Sequence, residues 1–531
     1  MSDTPESAES AASAGSVARP EKEDRAIDER RRLLAALGAT GSALDALTEY
    51  VGLAYPELPE AELAIELPEE PQIPFWRQYA AEALDSGTAK ALALRFPQLG
   101  FPVAPGMSEN EEYRRATRQG DVDPSRRAPL AIEREDLLSL HIEESIAGAV
   151  PVLISRNRND FVLLVRALTA RNEPEPVPEA MGACLVKGLV NWDRVGAERR
   201  RFEAALELQG RIATAEDWAA EMAGRIRPRK ELWQDRLILL SDGPYSAVPA
   251  AEVGLDTADW RERSLALRLD HECFHCLTLR RHGLLRSHLL DELLADYVGS
   301  IAAFGSYDAR RALRFLGLNV DATSLPGGRW EIYRGALPEA AIPALARLVE
   351  RAAQALERLS AAPLPPGLRA RQLLGLAALG LDGIASGVLS AQRTTLPPLC
   401  RVGPPTIAAV AGMAGEIEVW ARAQGVTERA LRDLLVVHDE LASNVARHGA
   451  GASEMSIEID LDWTQQRIRY RLEDDAAAFD PGTRYRPDTA AALDTRAPGG
   501  LGIHLVRTLA GDIRWSRVGD RNRIELDIAL G

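Results

Sequence analysis

Residues 438–449 read HDELASNVARHG, and the spacing inside this stretch decides how the last quarter of the chain folds. Glu440, Asn444 and His448 recur every fourth residue. On a helix, positions i, i+4 and i+8 share one stripe. An acidic turn, EDDAAAFDP at 473–481, follows with Asp474, Phe479 and Asp480. Then comes GGLGIHLVRTL at 499–509, a glycine-rich turn that opens a helix. Asn444 can hold Mg²⁺ through its amide oxygen, because that ion takes hard oxygen ligands alongside phosphates and water. Glu440, one turn earlier, is placed to take a proton from an attacking hydroxyl or water. Asp474 can accept a hydrogen bond from an adenine amino group, and Phe479 lies in the same turn. Gly499, Gly500 and Gly502, with Leu501 between them, let backbone N–H groups approach phosphate oxygens at a helix start. The three segments together fit a pocket for ATP and Mg²⁺.

In order and spacing these segments resemble the GHKL ATPase superfamily, and within it the anti-sigma-factor serine kinases. The pattern E-x-x-x-N-x-x-x-H, the acidic turn ending F-D-P and the run G-G-L-G-I-H-L-V-R carry the resemblance. NRIEL, Asn522 to Leu526, is similar to the last strand of that family. The resemblance implies a GHKL α/β sandwich with a histidine-kinase-like ATPase fold. It further implies Mg²⁺·ATP as substrate complex, a serine or threonine of a protein partner as phosphoryl acceptor, and an anti-sigma-factor antagonist as that partner. Glu440 would be the base, Asn444 the Mg²⁺ ligand and Asp474 the adenine contact. The segment between Pro481 and Gly499 would be the nucleotide lid. One position departs from the family: Ala476 stands where a glycine is usual, which puts a methyl against the adenine.

A second chemical pattern lies in mid-chain, in DHECFHC at 270–276. His271 and His275 stand one helical turn apart and can ligate one Zn²⁺. Glu272 is placed to polarise a metal-bound water. DELLADYVG at 291–299 supplies Glu292 as third ligand, with Asp296 one turn later as hydrogen-bond partner of a ligand histidine. H-E-x-x-H followed by E-x-x-x-D resembles the HExxH gluzincin metallopeptidases, over about thirty residues. His282 and His288 are alternatives to Glu292. Cys273 and Cys276 point away from the histidine stripe and read as small core residues. DRLILLSDGPYS, from 235, reads as an edge strand able to pair with an extended peptide.

The rest of the chain bounds these readings. Its 531 residues allow three or four domains, and 46% hydrophobic content is ordinary for a globular protein. A net charge of −15 argues against generic nucleic-acid binding. The start, MSDTPESAESAASAGS, is no secretory signal, and no apolar run has the length of a membrane span. Four cysteines make no framework for a secreted scaffold, so a reducing cytoplasm is expected.

The expected fold class is α+β. Residues 1–25 form a disordered tail and 26–390 a mostly helical, zincin-like region. The proline-rich segment 391–406 is a linker, and 407–531 are the GHKL domain. The first functional expectation is a cytoplasmic signalling protein, with an anti-sigma-factor-type serine/threonine kinase domain fused to a zinc-binding, metallopeptidase-like one. The alternatives are an ATP-regulated zinc metallopeptidase acting on a peptide, and a non-catalytic module that sequesters a partner. Neither nucleic acid nor a membrane is an expected partner.

Overall fold

The computed structural model describes residues 24–59, 62–63, 67–121, 130–286, 288–319, 328–360, 366–387, 398–424, 426–462, 467–480 and 501–530. The expected lid, Gly499 and Gly500, residues 1–23 of the expected tail and residues 391–397 of the expected linker lie outside them. The chain divides into two units. Residues 1–58, 65–361 and 376–389 make up the first, and 59–64, 362–375 and 390–531 the second.

Unit 1 mixes helices with a four-stranded sheet, where the sequence reading expects mainly helix. Its strands are β1 (Leu138–Ser145), β2 (Gly148–Ser155), β3 (Ala183–Val190) and β4 (Gln234–Ser241), in the order β1-β2-β4-β3. β1 and β2 form an antiparallel hairpin. β2 runs parallel to β4, and β3 pairs antiparallel with β4. β4 therefore has both edges hydrogen-bonded, so DRLILLSDG is an interior strand and offers no free edge to a peptide. Its continuous apolar run, with Leu237 to Leu240 all buried, is what a strand covered on both faces requires. Helix α1 (Arg158–Thr169) starts where Asn157 accepts a hydrogen bond from Asp160 N–H, and α2 (Trp192–Glu207) starts in the same way at Asn191. Helix α3 (Thr257–His282) packs on β3 and β4 and along α4 (Leu289–Phe304). Asp256 caps α3, and Gly283 ends it in a left-handed conformation with φ 67°.

Unit 2 is a five-stranded antiparallel sheet with helices on one face. The strands are β5 (Leu399–Gly403), β6 (Met455–Asp462), β7 (Arg467–Asp474), β8 (Arg514–Val518) and β9 (Arg521–Ala529), ordered β5-β6-β7-β9-β8. The helices are α5 (Ile407–Ala423), α6 (Glu428–His448) and α7 (Leu501–Ala510). β6, β7 and β9 bury every second residue, and Ile457, Ile459, Ile468, Tyr470, Leu472, Leu526 and Ile528 pack against Ile417, Leu434, Val437 and Val506. The opposite face carries ion pairs across strands, such as Arg471 with Glu458 and Glu525, and Arg523 with Glu473. Thr406 and Thr427 cap α5 and α6. β5 falls inside the stretch expected as linker. It is an edge strand with only Leu399 fully buried, so main-chain pairing with β6 makes it, and no side-chain period announces it. Among the described residues, no helix is long and apolar enough to cross a membrane.

Candidate functional site

The first group of candidate residues gathers in unit 2, around the C-terminal half of α6. Glu440 and Asn444 are half-buried on α6, one turn apart, while His448 is exposed in its last turn. Gly502 lies in the first turn of α7 and abuts Glu440, so closely that a β-carbon there would collide with the carboxylate. The backbone of Leu501 begins α7, beside Gly502.

Asp474 ends β7 and is 4% exposed. Its Oδ1 accepts from Ala476 N–H at 3.0 Å and from the Asn522 side-chain amide at 2.9 Å. The antiparallel register sets Asn522 of β9 directly opposite Asp474, which is why that amide reaches it. Asn522 Oδ1 in turn accepts from Phe479 N–H at 3.2 Å and from Arg517 at 2.9 Å. Arg517 also donates to the Ala476 carbonyl at 2.8 Å. The acidic turn is thus pinned through its main chain. Ala476 does not adopt the left-handed backbone, so its methyl adds no strain at a position where glycine was expected. The Phe479 ring is 41% exposed.

The second group gathers in unit 1, between α3 and α4. His271 and His275 present Nε2 atoms 3.2 Å apart. Glu292 of α4 brings Oε2 to 3.6 Å from His271 Nε2 and Oε1 to 3.6 Å from His275 Nε2. All three side chains are buried. His271 Nδ1 lies 2.9 Å from Asp296 Oδ1, which selects the tautomer with a lone pair on Nε2. Glu272 is buried on the same helix and adds negative charge beside His275. His288 is no part of the cluster: its Nδ1 accepts from Leu290 N–H and caps α4, and its Nε2 meets the Tyr50 carbonyl at 3.1 Å. His282 packs its ring against Tyr55. Cys273 and Cys276 are core residues, and burial pushes both thiols well up, away from the reactive thiolate form.

Two further residues complete this cluster, and neither was singled out from the sequence. Tyr245 is buried and donates to Asp296 Oδ1 at 2.5 Å, with its oxygen 2.9 Å from His271 Nδ1. It reaches there from a tight turn after β4 in which Ser246 and Ala247 both take positive φ, 51° and 56°. Arg268 steadies this turn by donating to the carbonyls of Ser241, Gly243 and Pro244. Arg329 donates to Glu292 Oε2 at 2.6 Å, to Tyr245 OH at 3.0 Å and to Ser246 Oγ at 2.9 Å. DGPYS directly after a strand was a usable signal for Tyr245. Nothing in GGRW at 327–330 ties Arg329 to residues more than thirty positions earlier.

The charges are tightly matched. Burial alone would raise the Glu292 carboxyl, but His275, His271 and Arg329 outweigh it and hold it well below the usual range. Burial alone would lower His275, but its bond to Glu292 and the nearby carboxylates push it up to about 9.

Comparison with known proteins divides the chain in a similar way. Residues 32–386 match the family described as Family of unknown function (DUF7005). Residues 403–528 match the Histidine kinase-like ATPase domain, so the C-terminal unit is a domain of that type. The serine/threonine-protein kinase BtrW of Bordetella bronchiseptica is 28% identical over 94 residues, which is 18% of this chain. That match spans 66% of the kinase's own length, just under two thirds. The crystal structure of the RsbU and RsbW domains of Rv1364c from Mycobacterium tuberculosis shares 15% identity, with a TM-score of 0.20, covering 35% of this chain and 47% of that one.

Proposed function

Since the chain belongs to the DUF7005 family and carries a histidine kinase-like ATPase domain after it, we propose that it is a cytoplasmic signalling protein whose C-terminal unit binds Mg²⁺·ATP and phosphorylates a serine or threonine of a partner protein. The likeness to the kinase BtrW supports a protein substrate, and an anti-sigma-factor antagonist is the partner class this suggests. The observation that carries the reading is the contact of Glu440 with Gly502, which sets a carboxylate against the helix start that would receive the phosphates. Asn444, one turn away, would hold Mg²⁺, and Asp474, which receives Ala476 N–H and the Asn522 amide on Oδ1, would accept from the adenine amino group through Oδ2. Glu440 would take the proton of the acceptor hydroxyl. Calorimetry with Mg²⁺·ATP tests this. Asn444→Ala should lose binding and Asp474→Ala should weaken it. Glu440→Ala should keep nucleotide but not turn it over, and equal ATP affinity in wild type and the Asn444 and Asp474 variants would sink the assignment.

A second reading is favoured by one observation in unit 1. The His271 and His275 Nε2 atoms lie 3.2 Å apart, and each has a Glu292 oxygen at 3.6 Å, Oε2 for His271 and Oε1 for His275, so one atom from each residue lies within 4.8 Å of the others, close enough for the three side chains to converge on one Zn²⁺. Once His275 gives up its proton to become a ligand, Glu272, Glu292 and Asp296 set three carboxylates against the Arg329 guanidinium, which leaves net negative charge for a divalent cation to meet. Zinc bound there would activate a water for hydrolysis of a peptide. Glu272 would hold the proton of that water, and Asp296 with Tyr245 would fix the His271 ring. The full-length protein should carry about one zinc by elemental analysis. His271→Ala, His275→Ala and Glu292→Ala should each lose it, and Glu272→Ala should keep it.

A further inference from the structure

Arg329 stands where a metal-site reading leaves no obvious work for an arginine. Its side chain is only 14% exposed. One guanidinium nitrogen donates to Glu292 Oε2 at 2.6 Å, and the other lies 3.4 Å from Asp296 Oδ2 and 3.0 Å from Tyr245 OH. The same Glu292 oxygen is 3.6 Å from His271 Nε2. The carboxylate that would face a metal ion is therefore already paired with a cation supplied by the chain itself.

We infer that Arg329 is a resident cation that competes with a divalent metal ion for Glu292, so that metal loading loosens Arg329 from Glu292 and metal affinity is set by this residue. The inference rests on the metal reading of the His271–His275–Glu292 cluster. Its physical basis is charge. Two like charges a few ångströms apart in a poorly solvated site repel strongly, so an ion that enters must weaken the Arg329–Glu292 pair. The pair in turn keeps the buried Glu292 carboxylate oriented when the ion is away. Arg329 lies on the short segment Gly328–Arg334, whose helix is the single turn Trp330–Tyr333. Movement of the guanidinium should register in the exchange of that segment's amides.

Zinc affinity of the full chain, measured by competition with a fluorescent chelator, tests this. Arg329→Gln removes the competing charge and keeps hydrogen-bonding atoms, so it should bind zinc more tightly than wild type, by about ten-fold. Arg329→Lys keeps the charge and should stay near wild type. Equal or weaker binding by Arg329→Gln, in a protein whose circular dichroism and melting match wild type, overturns the inference and leaves the metal site standing. No zinc in either wild type or Arg329→Gln overturns both. A second measurement needs no variant: zinc added to wild type should speed hydrogen exchange in Gly328–Arg334, and unchanged or slower exchange there, with zinc bound, also overturns it.

Discussion

A carboxylate that is to read a base edge must be held still, and Asp474 is held by the Asn522 amide from the neighbouring strand. Asn522→Ala leaves Oδ1 with one donor in a buried place, which costs about 1–3 kcal/mol of local order. ATP affinity should therefore fall roughly ten-fold or more by calorimetry, while the β7–β9 ladder persists in circular dichroism. His288 carries a prediction of another kind. It accepts from Leu290 N–H through Nδ1, so the folded state needs that nitrogen free of a proton, and burial lowers its pKa from 6.5 to about 4. Between those two values the unfolded chain holds a proton that the folded chain does not. Stability should then fall as pH drops from 6.5 towards 4, by up to about 3 kcal/mol, and the loss should level off below 4. Urea unfolding at several pH values checks this, and His288→Asn, which can still cap α4, should flatten the dependence by about one proton. None of these partners was legible from spacing. Asp474 was visible as part of an acidic turn, but the residue that steadies it comes from the opposite strand and only register brings it there.

Elements fared differently, according to how much side-chain period they carry. β6 and β7 alternate cleanly between buried and partly exposed residues, and α6 begins at a threonine cap, so each of these elements carries its own mark in the sequence. β5 has no period to show. β4 was visible as a strand but its place was not, because an apolar run does not say which neighbours it has. The pairing of α3 with α4 rests on Gly299, where a β-carbon would overlap the Leu267 carbonyl oxygen. Gly299→Ala should push apart the helices that bear His271, His275 and Glu292. A loss of about 1–3 kcal/mol is expected in denaturant unfolding, together with weaker zinc binding than wild type. A variant that loses stability but binds zinc unchanged would show that the helix spacing does not set the metal site.

At the scale of the molecule, two units with separate cores predict two unfolding transitions. A ligand stabilises only what it binds, by about 2.7 kcal/mol at one hundred times its dissociation constant. Mg²⁺·ATP should raise one calorimetric transition and zinc the other. A shift of both by ATP alone would instead reveal communication between the units. The turn after β4 draws a different line, between durability and use. Ser246 and Ala247 sit side by side in a backbone conformation that disfavours side chains, in a turn held by Arg268, and the result is a hydroxyl delivered to His271. Ala247→Gly should relieve this and raise global stability by about 1 kcal/mol in urea unfolding. Selection for robustness alone would have accepted that glycine. The cost lies in the backbone shape that aims Tyr245, and glycine would hold that same shape without it, so an engineer who wants a hardier protein would begin at position 247.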